Sequence, residues 1–199
     1  MHGRGSGIPQ IRAAEESERR RAIGTVTVGF VADPLARWLL PEPSAYLAEF
    51  PSIVDAFGGS GLAHGATYVA DDFGGAAFWL PPGVRPDTAR LLECFRRNAG
   101  RAVLADLLGV YEQMEAYHPH LPHWYLPLIG VDPMQQGRGL GALLMRHALL
   151  RCDADRVVAY LESTNPRNIS LYQRHGFEIL GTIQVGGSPP ITPMVRYPR

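Results

Sequence analysis

The chain has 199 residues, 46% hydrophobic and 19% charged, and its formal net charge is zero. That length suits one domain over 1–199 with a substantial core, and the balance excludes a disordered chain. Zero net charge removes the global basic field that would hold nucleic acid or an anionic membrane, so an anionic ligand must be held by local geometry.

Apart from histidine, every basic residue is arginine, a mark of coding bias rather than of mechanism. Cys94 and Cys152 are the only cysteines. Two distant cysteines make neither a disulfide framework nor a zinc site, so a reducing cytoplasm is the expected location. No apolar run reaches the roughly 20 residues of a membrane helix. Residues 1–10 are Gly-rich without an apolar stretch, and are read as a loose lead-in rather than a secretory signal.

Taken in chain order, Ile8 and Ile11 suit a short opening strand. A helix is expected over 13–30, with Glu15, Glu16 and Glu18 early and Ala22, Ile23, Val26 and Phe30 at helical spacing. Asp33-Pro34 breaks it. A second helix is expected over 44–57, with Ser44 as N-cap and Gly58-Gly59 as its stop. Val69-Ala70, an Asp71-Asp72 turn and residues 76–80 read as strand, turn and strand, ended by Pro81-Pro82. Helices follow over 87–98 and 103–117. The second half alternates: strand 124–131, helix 139–151, strand 156–162, short helix 168–175, then strands 177–185 and 194–197. This alternation argues for an α/β fold, with helices on the faces of a mixed sheet that has antiparallel edges.

The strongest motif is Gln136-Gly137-Arg138-Gly139-Leu140-Gly141. A buried-type strand ends at Val131, Asp132-Pro133 turns the chain, and alternate glycines lead into a helix carrying Leu140, Leu143, Leu144 and Ala148. Glycine lets backbone N–H groups approach an anion, and the first helical turn leaves such groups unpaired. A pyrophosphate is the natural guest, with Arg138 adding a charge-assisted bond. No Gly-Lys-Ser/Thr follows, so this is not a Walker loop, and the spacing to Glu162 makes a poor dinucleotide fingerprint.

This motif resembles the Gln/Arg-x-x-Gly-x-Gly/Ala element of the GNAT superfamily of acetyltransferases. Asn165 and Tyr172-Gln173-Arg174-His175-Gly176-Phe177 resemble its later Asn and Tyr-x-x-x-Gly-Phe elements. Within the superfamily, residues 69–72, 136–141, 161–162, 166–168 and 172–177 look most like puromycin N-acetyltransferases. The resemblance implies a GNAT-like central mixed sheet with splayed strands and helices on both faces, and acetyl-coenzyme A as donor. It implies that Ile129, Gly130 and Val131 hold the pantetheine arm, with Asn165 or Asn168 bonding it too. Gln136, Gly137, Arg138, Gly139, Leu140, Gly141 and Ala142 would hold the phosphates.

The strand over 124–131 has Pro127 in its middle and Gly130 near its end, so it is expected to be irregular and to leave backbone groups unpaired on one side. Acetyl transfer to an amine needs a base, a stabilised carbonyl oxygen and an acid for the departing thiolate. The resemblance makes Tyr172 that acid. Glu162, on one strand face with Tyr160, is the candidate base, directly or through water. No Cys or Ser with an evident base lies in the motif region, so direct transfer in a ternary complex is expected.

His118, His120 and His123 invite a metal reading, but no cysteine is near and Glu112 and Glu115 lie on the preceding helix. No metal is expected. A loop bordering the acceptor pocket, with one histidine as base, is the functional alternative. Trp38, Trp79 and Trp124 are core by default, with Trp38 and Trp124 as candidate walls for an aromatic acceptor. The expected activity is N-acetylation of a small-molecule primary amine by a monomer or homodimer. A protein or peptide N-acetyltransferase and a non-catalytic coenzyme A-binding regulatory module are the rivals.

Overall fold

A computed structural model describes residues 9–70 and 72–199. Ile8, Asp71 and most of the lead-in lie outside the described residues. The strands are β1 (Ile11–Ala13), β2 (Thr67–Ala70), β3 (Gly75–Leu80), β4 (His123–Val131), β5 (Val158–Ser163), β6 (Glu178–Ile179) and β7 (Thr192–Arg196). The α-helices are α1 (Arg19–Gly29), α2 (Pro34–Leu39), α3 (Pro43–Gly58), α4 (Thr88–Asn98), α5 (Arg101–Tyr117), α6 (Leu140–Ala154) and α7 (Ile169–Arg174).

The seven strands form one mixed sheet in the order β1-β2-β3-β4-β5-β7-β6. Only β4 and β5 run parallel. One face packs Val26, Phe50, Phe78, Leu91 and Leu128 into a core with α1 to α5. The other packs Trp79, Leu126, Leu144 and Met145 with α6 and α7. The expected α/β sheet with helices on both faces is therefore what the chain forms.

Several boundaries differ from expectation. The helix expected from residue 13 begins at Arg19, because Ile11–Ala13 joins the sheet and the Glu15 N–H donates to Glu18 Oε2 at 3.0 Å, holding a separate tight turn. Asp33-Pro34 starts α2 instead of only breaking α1: Asp33 Oδ1 accepts from the N–H groups of Leu35 and Ala36 at 3.0 and 3.1 Å. Ser44 is not an N-cap. The prior Pro43 needs no hydrogen bond at the first helical position, so α3 starts there with Glu42 as cap. The strand expected over 177–185 shrinks to Glu178–Ile179 plus a bridge between Ile183 and Ile191. Gly181 separates them, lying where a Cβ would meet the Tyr117 hydroxyl.

The feature that positions the site is a bulge in β4. Phe78 pairs with Leu128 and Leu80 with Tyr125, so two steps along β3 match three along β4. The extra residue falls across Leu126 and Pro127. Facing agrees: Leu126 packs on the α6 side and Leu128 on the α1 side, where strict alternation would put both on one face. Pairing of β4 with β5 runs from His123↔Val158 to Leu126↔Leu161 and stops there. Beyond the bulge, β4 pairs with β3 alone.

On the far side of the gap, β7 lies between β5 and β6. Buried Arg196 of β7 donates to both carboxylate oxygens of Asp153, at 2.7 and 2.9 Å, and to the His175 carbonyl at 2.9 Å. It joins the ends of α6 and α7 to the sheet.

The other side of the gap is set by α1. A Cβ on Gly29 would lie 2.9 Å from Gly130 Cα, and one on Gly130 would lie 3.0 Å from Val26 Cα. Backbone meets backbone, with no flexible side chain to yield. Gly29→Ala is expected to destabilise the fold by about 1–3 kcal/mol, read as a lower urea midpoint. An unchanged midpoint would show that α1 and β4 separate freely.

Candidate active site

Four elements meet where β4 and β5 part. From β4 comes the stretch 127–131, with no strand partner on its β5 side. From β5 come Glu162, Ser163 and Thr164 at its end, and from α7 comes Tyr172. From the start of α2 comes Asp33. Pro127, Leu128 and Ile129 of β4 join the residues named from the other three elements in lining a cavity of about 110 Å³ whose remaining wall is largely apolar, including Phe50, Phe57, Phe95 and Leu107.

The glycine loop follows directly on the unpaired end of β4, after Val131. Gly137 and Gly139 have φ of 77° and 79°, in the left-handed region that favours glycine. A Cβ at either would meet open space, so conformation and not crowding requires glycine. Asp132 Oδ1 accepts from the Met134 N–H at 2.8 Å and tightens the turn. The Gln136 amide donates to the Val131 carbonyl at 3.3 Å, and Arg138 bonds Gln135. Leu140 is buried and anchors the start of α6, a fifteen-residue helix whose first N–H groups face the loop.

Two carboxylates sit in the cavity wall. Asp33 is 6% exposed, and its Oδ2 accepts from the Thr164 hydroxyl at 2.6 Å across the cleft. Burial holds its carboxyl above the usual aspartate range, against the pull of those hydrogen bonds. The Glu162 side chain is 2% exposed. Its Oε1 lies 3.2 Å from His118 Nε2, an ion-pair distance without hydrogen-bond geometry. Burial first, and then the Glu162 charge, push the phenols of Tyr125 and Tyr160 upward. Tyr172 is buried, and burial followed by the Asp33 charge raises its phenol too.

Residues 93–179 match the family model of the acetyltransferase (GNAT) domain. Over that stretch the chain is similar to GNAT acetyltransferases. An uncharacterised N-acetyltransferase of Schizosaccharomyces pombe is 23% identical, over 94% of this chain and 83% of that protein. A structure of a histone acetyltransferase HPA2 and related acetyltransferase from Corynebacterium glutamicum is 26% identical, with a TM-score of 0.69, covering 96% of this chain and 97% of that one. An agmatine N-acetyltransferase structure shares the fold at 19% identity and a TM-score of 0.64, covering 95% and 99%.

In this acetyltransferase Tyr172, Glu162, Asn168 and Ile129 share one cavity. Gly130 and Val131 continue the unpaired edge, and Gln136, Gly137, Arg138, Gly139, Leu140, Gly141 and Ala142 form the loop and first turn beyond it. The Asn165 side chain is turned away, accepting from the Arg167 N–H at 3.1 Å. Neither tryptophan walls the cavity. Trp124 is buried on the α6 side and donates to Asp155 at 3.0 Å, and Trp38 packs at the rim of the opposite core. Its apolar wall is phenylalanine and leucine instead. Asp33 was not legible as a site residue, since Asp-Pro reads as punctuation and its partner Thr164 is 131 residues away. Among the described residues no group of three His, Cys, Asp or Glu side chains gathers to hold a metal. No helix among them is long and apolar enough to cross a membrane.

A carboxyl raised by burial binds its proton more tightly folded than unfolded. Its contribution to stability is then full below the unfolded pKa and is lost as pH rises through the folded one. Asp33→Asn keeps an accepting oxygen for Leu35 and Ala36. It is expected to flatten the fall in stability that urea melts of the native protein show from about pH 4 upward. Equal slopes in the two proteins would place that fall elsewhere.

Proposed function

We propose that the protein transfers the acetyl group of acetyl-coenzyme A to the primary amine of a small molecule with an apolar body. The observation that carries this is the meeting of Glu162 and Tyr172 in one cavity, at the point where β4 leaves β5. The unpaired backbone of 127–131 suits an extended amide-bearing arm such as pantetheine, which would complete the interrupted ladder. The left-handed glycines before α6 suit its phosphates. The co-substrate supplies a thioester-activated acetyl group.

In this reading Glu162 takes the proton of the acceptor ammonium, directly or through water, so that the neutral amine attacks. An N–H of the bulged strand polarises the carbonyl. Tyr172 keeps its proton because burial disfavours the phenolate. A thiolate forming in the same apolar cavity is disfavoured for the same reason and takes that proton. Acceptor and donor meet in a ternary complex. The enclosing helices and apolar wall support a compact acceptor over a peptide laid in an open groove. The stretches resembling puromycin N-acetyltransferases make puromycin a reasonable first probe, and the likeness to an agmatine N-acetyltransferase adds agmatine as a second amine to test. A cytoplasmic location remains part of the same proposal.

Thiol release with acetyl-coenzyme A tests it, against a panel of 2-phenylethylamine, agmatine and puromycin. Tyr172→Phe is expected to lower kcat by roughly 10²-fold or more while binding of acetyl-coenzyme A persists. Undiminished kcat would remove Tyr172 as the acid. Tight binding without turnover on any amine would favour a regulatory coenzyme A-binding module. Gly139→Ala forces a side chain into the left-handed region, at about 1–2 kcal/mol. It is expected to raise KM for acetyl-coenzyme A and leave KM for the amine unchanged. Equal effects on both would detach the loop from the phosphates.

A further inference from the structure

His118 caps the end of α5 and His123 opens β4, and their rings meet behind Glu162. The hydrogen positions along this row follow from its partners. His123 Nδ1 lies 2.9 Å from the Leu121 carbonyl oxygen and must donate, because a carbonyl has no proton to give. Burial, the largest cause, pushes His123 below the ordinary histidine value, so its ring is neutral and its Nε2 accepts. His118 Nδ1, 3.1 Å away, supplies that proton. The one ring nitrogen left, His118 Nε2, faces Glu162 Oε1 at 3.2 Å. Tyr125 and Tyr160 pack their rings against His118 at centroid distances of 4.7 and 4.5 Å, lining the middle of the row with aromatic surface.

The far end of the row opens elsewhere. His118 and His123 line a second cavity of about 270 Å³, bordered by Arg85, Glu115 and His120 and ending at exposed Leu121. Glu162 lines the first cavity and not the second. The two histidines therefore bridge a buried carboxylate to a polar outlet.

We infer that His118 and His123 relay the acceptor's proton from Glu162 in the catalytic cavity to water in the second one. This rests on the reading of Glu162 as the base. The ammonium proton passes to the Glu162 carboxylate and from there to His118 Nε2. The Nδ1 proton of His118 passes to His123 Nε2, and the resulting imidazolium swings its Nδ1–H from the Leu121 carbonyl to water of the second cavity and releases that proton there. One proton enters and one leaves, both rings are left as the Nε2–H tautomer, and each returns to its Nδ1–H form by proton exchange with water of the second cavity. The relay restores the carboxylate without opening the apolar cavity to solvent.

The test is thiol release at saturating acetyl-coenzyme A in a bulky, weakly basic buffer, using whichever of 2-phenylethylamine, agmatine and puromycin the native protein turns over fastest. His123→Ala and His118→Gln are each expected to lower kcat at least about 10-fold, with KM for both substrates within about twofold. Added imidazole is expected to restore His123→Ala through the second cavity and to leave Glu162→Gln slow. Native-like kcat in either folded histidine variant, or a His123→Ala loss that imidazole does not relieve, overturns the relay while a slow Glu162→Gln keeps the base reading. A fast Glu162→Gln, or a native protein silent on all three amines, removes the base reading and the relay with it. Should His123→Ala fail to fold, His123→Gln replaces it, and native kcat in that variant overturns the relay.

Discussion

Everything in the site depends on one surplus residue in a strand. Between Tyr125 and Leu128, β4 spends three residues where β3 spends two. A strand that keeps its register with one neighbour across such a bulge must turn away from the other. Here β3 is kept and β5 is lost after Leu126. Pro127 fits because it has no N–H to leave orphaned at the point of departure. The gap then exposes polar backbone in the middle of a sheet that is otherwise covered on both faces. Such groups are costly when buried without partners, so an amide-rich ligand is a natural completion of the sheet.

The same gap explains why charge survives in so apolar a cavity. Asp33 is held by two helix N–H groups and by Thr164, which offset part of its burial and leave its carboxyl above the usual aspartate range. Glu162 has no such set. It faces one histidine ring without a formed hydrogen bond and two phenols pushed upward by burial first and by its charge second. Asp33 is therefore structural first, whereas Glu162 keeps an oxygen without a hydrogen-bond partner beside the cavity it lines.

Periodicity and punctuation carried the order of elements well, because α4, α5, α6 and the strand after the glycine loop each have a clean apolar pattern between clear stops. Gly130 pairs in regular register with Ala76, but the bulge itself was legible in kind from Pro127, which has no N–H to give a ladder. Its placement was not, because a register count needs both strands. Ser44 misled because Pro43 outweighs a serine cap when the chain can begin a turn earlier. Trp124 misled for a related reason: its indole finds Asp155 on the α6 side, a partner 31 residues away. The contact of His118 with Glu162 joins the end of a helix to the end of a strand, and no local pattern announces it.

The place of β7 bears on how the chain reaches this state. The outer partner of β5 is not the next segment made but residues 192–196, after α7 and β6 have passed. Until then β5 presents an open edge, and Asp153 and the His175 carbonyl lack the arginine that ties them together. An emerging chain therefore holds its glycine loop and α6 before it holds the wall that carries Glu162 and Tyr172. The interval before β7 docks is when the half-built sheet is most open to pairing with another molecule.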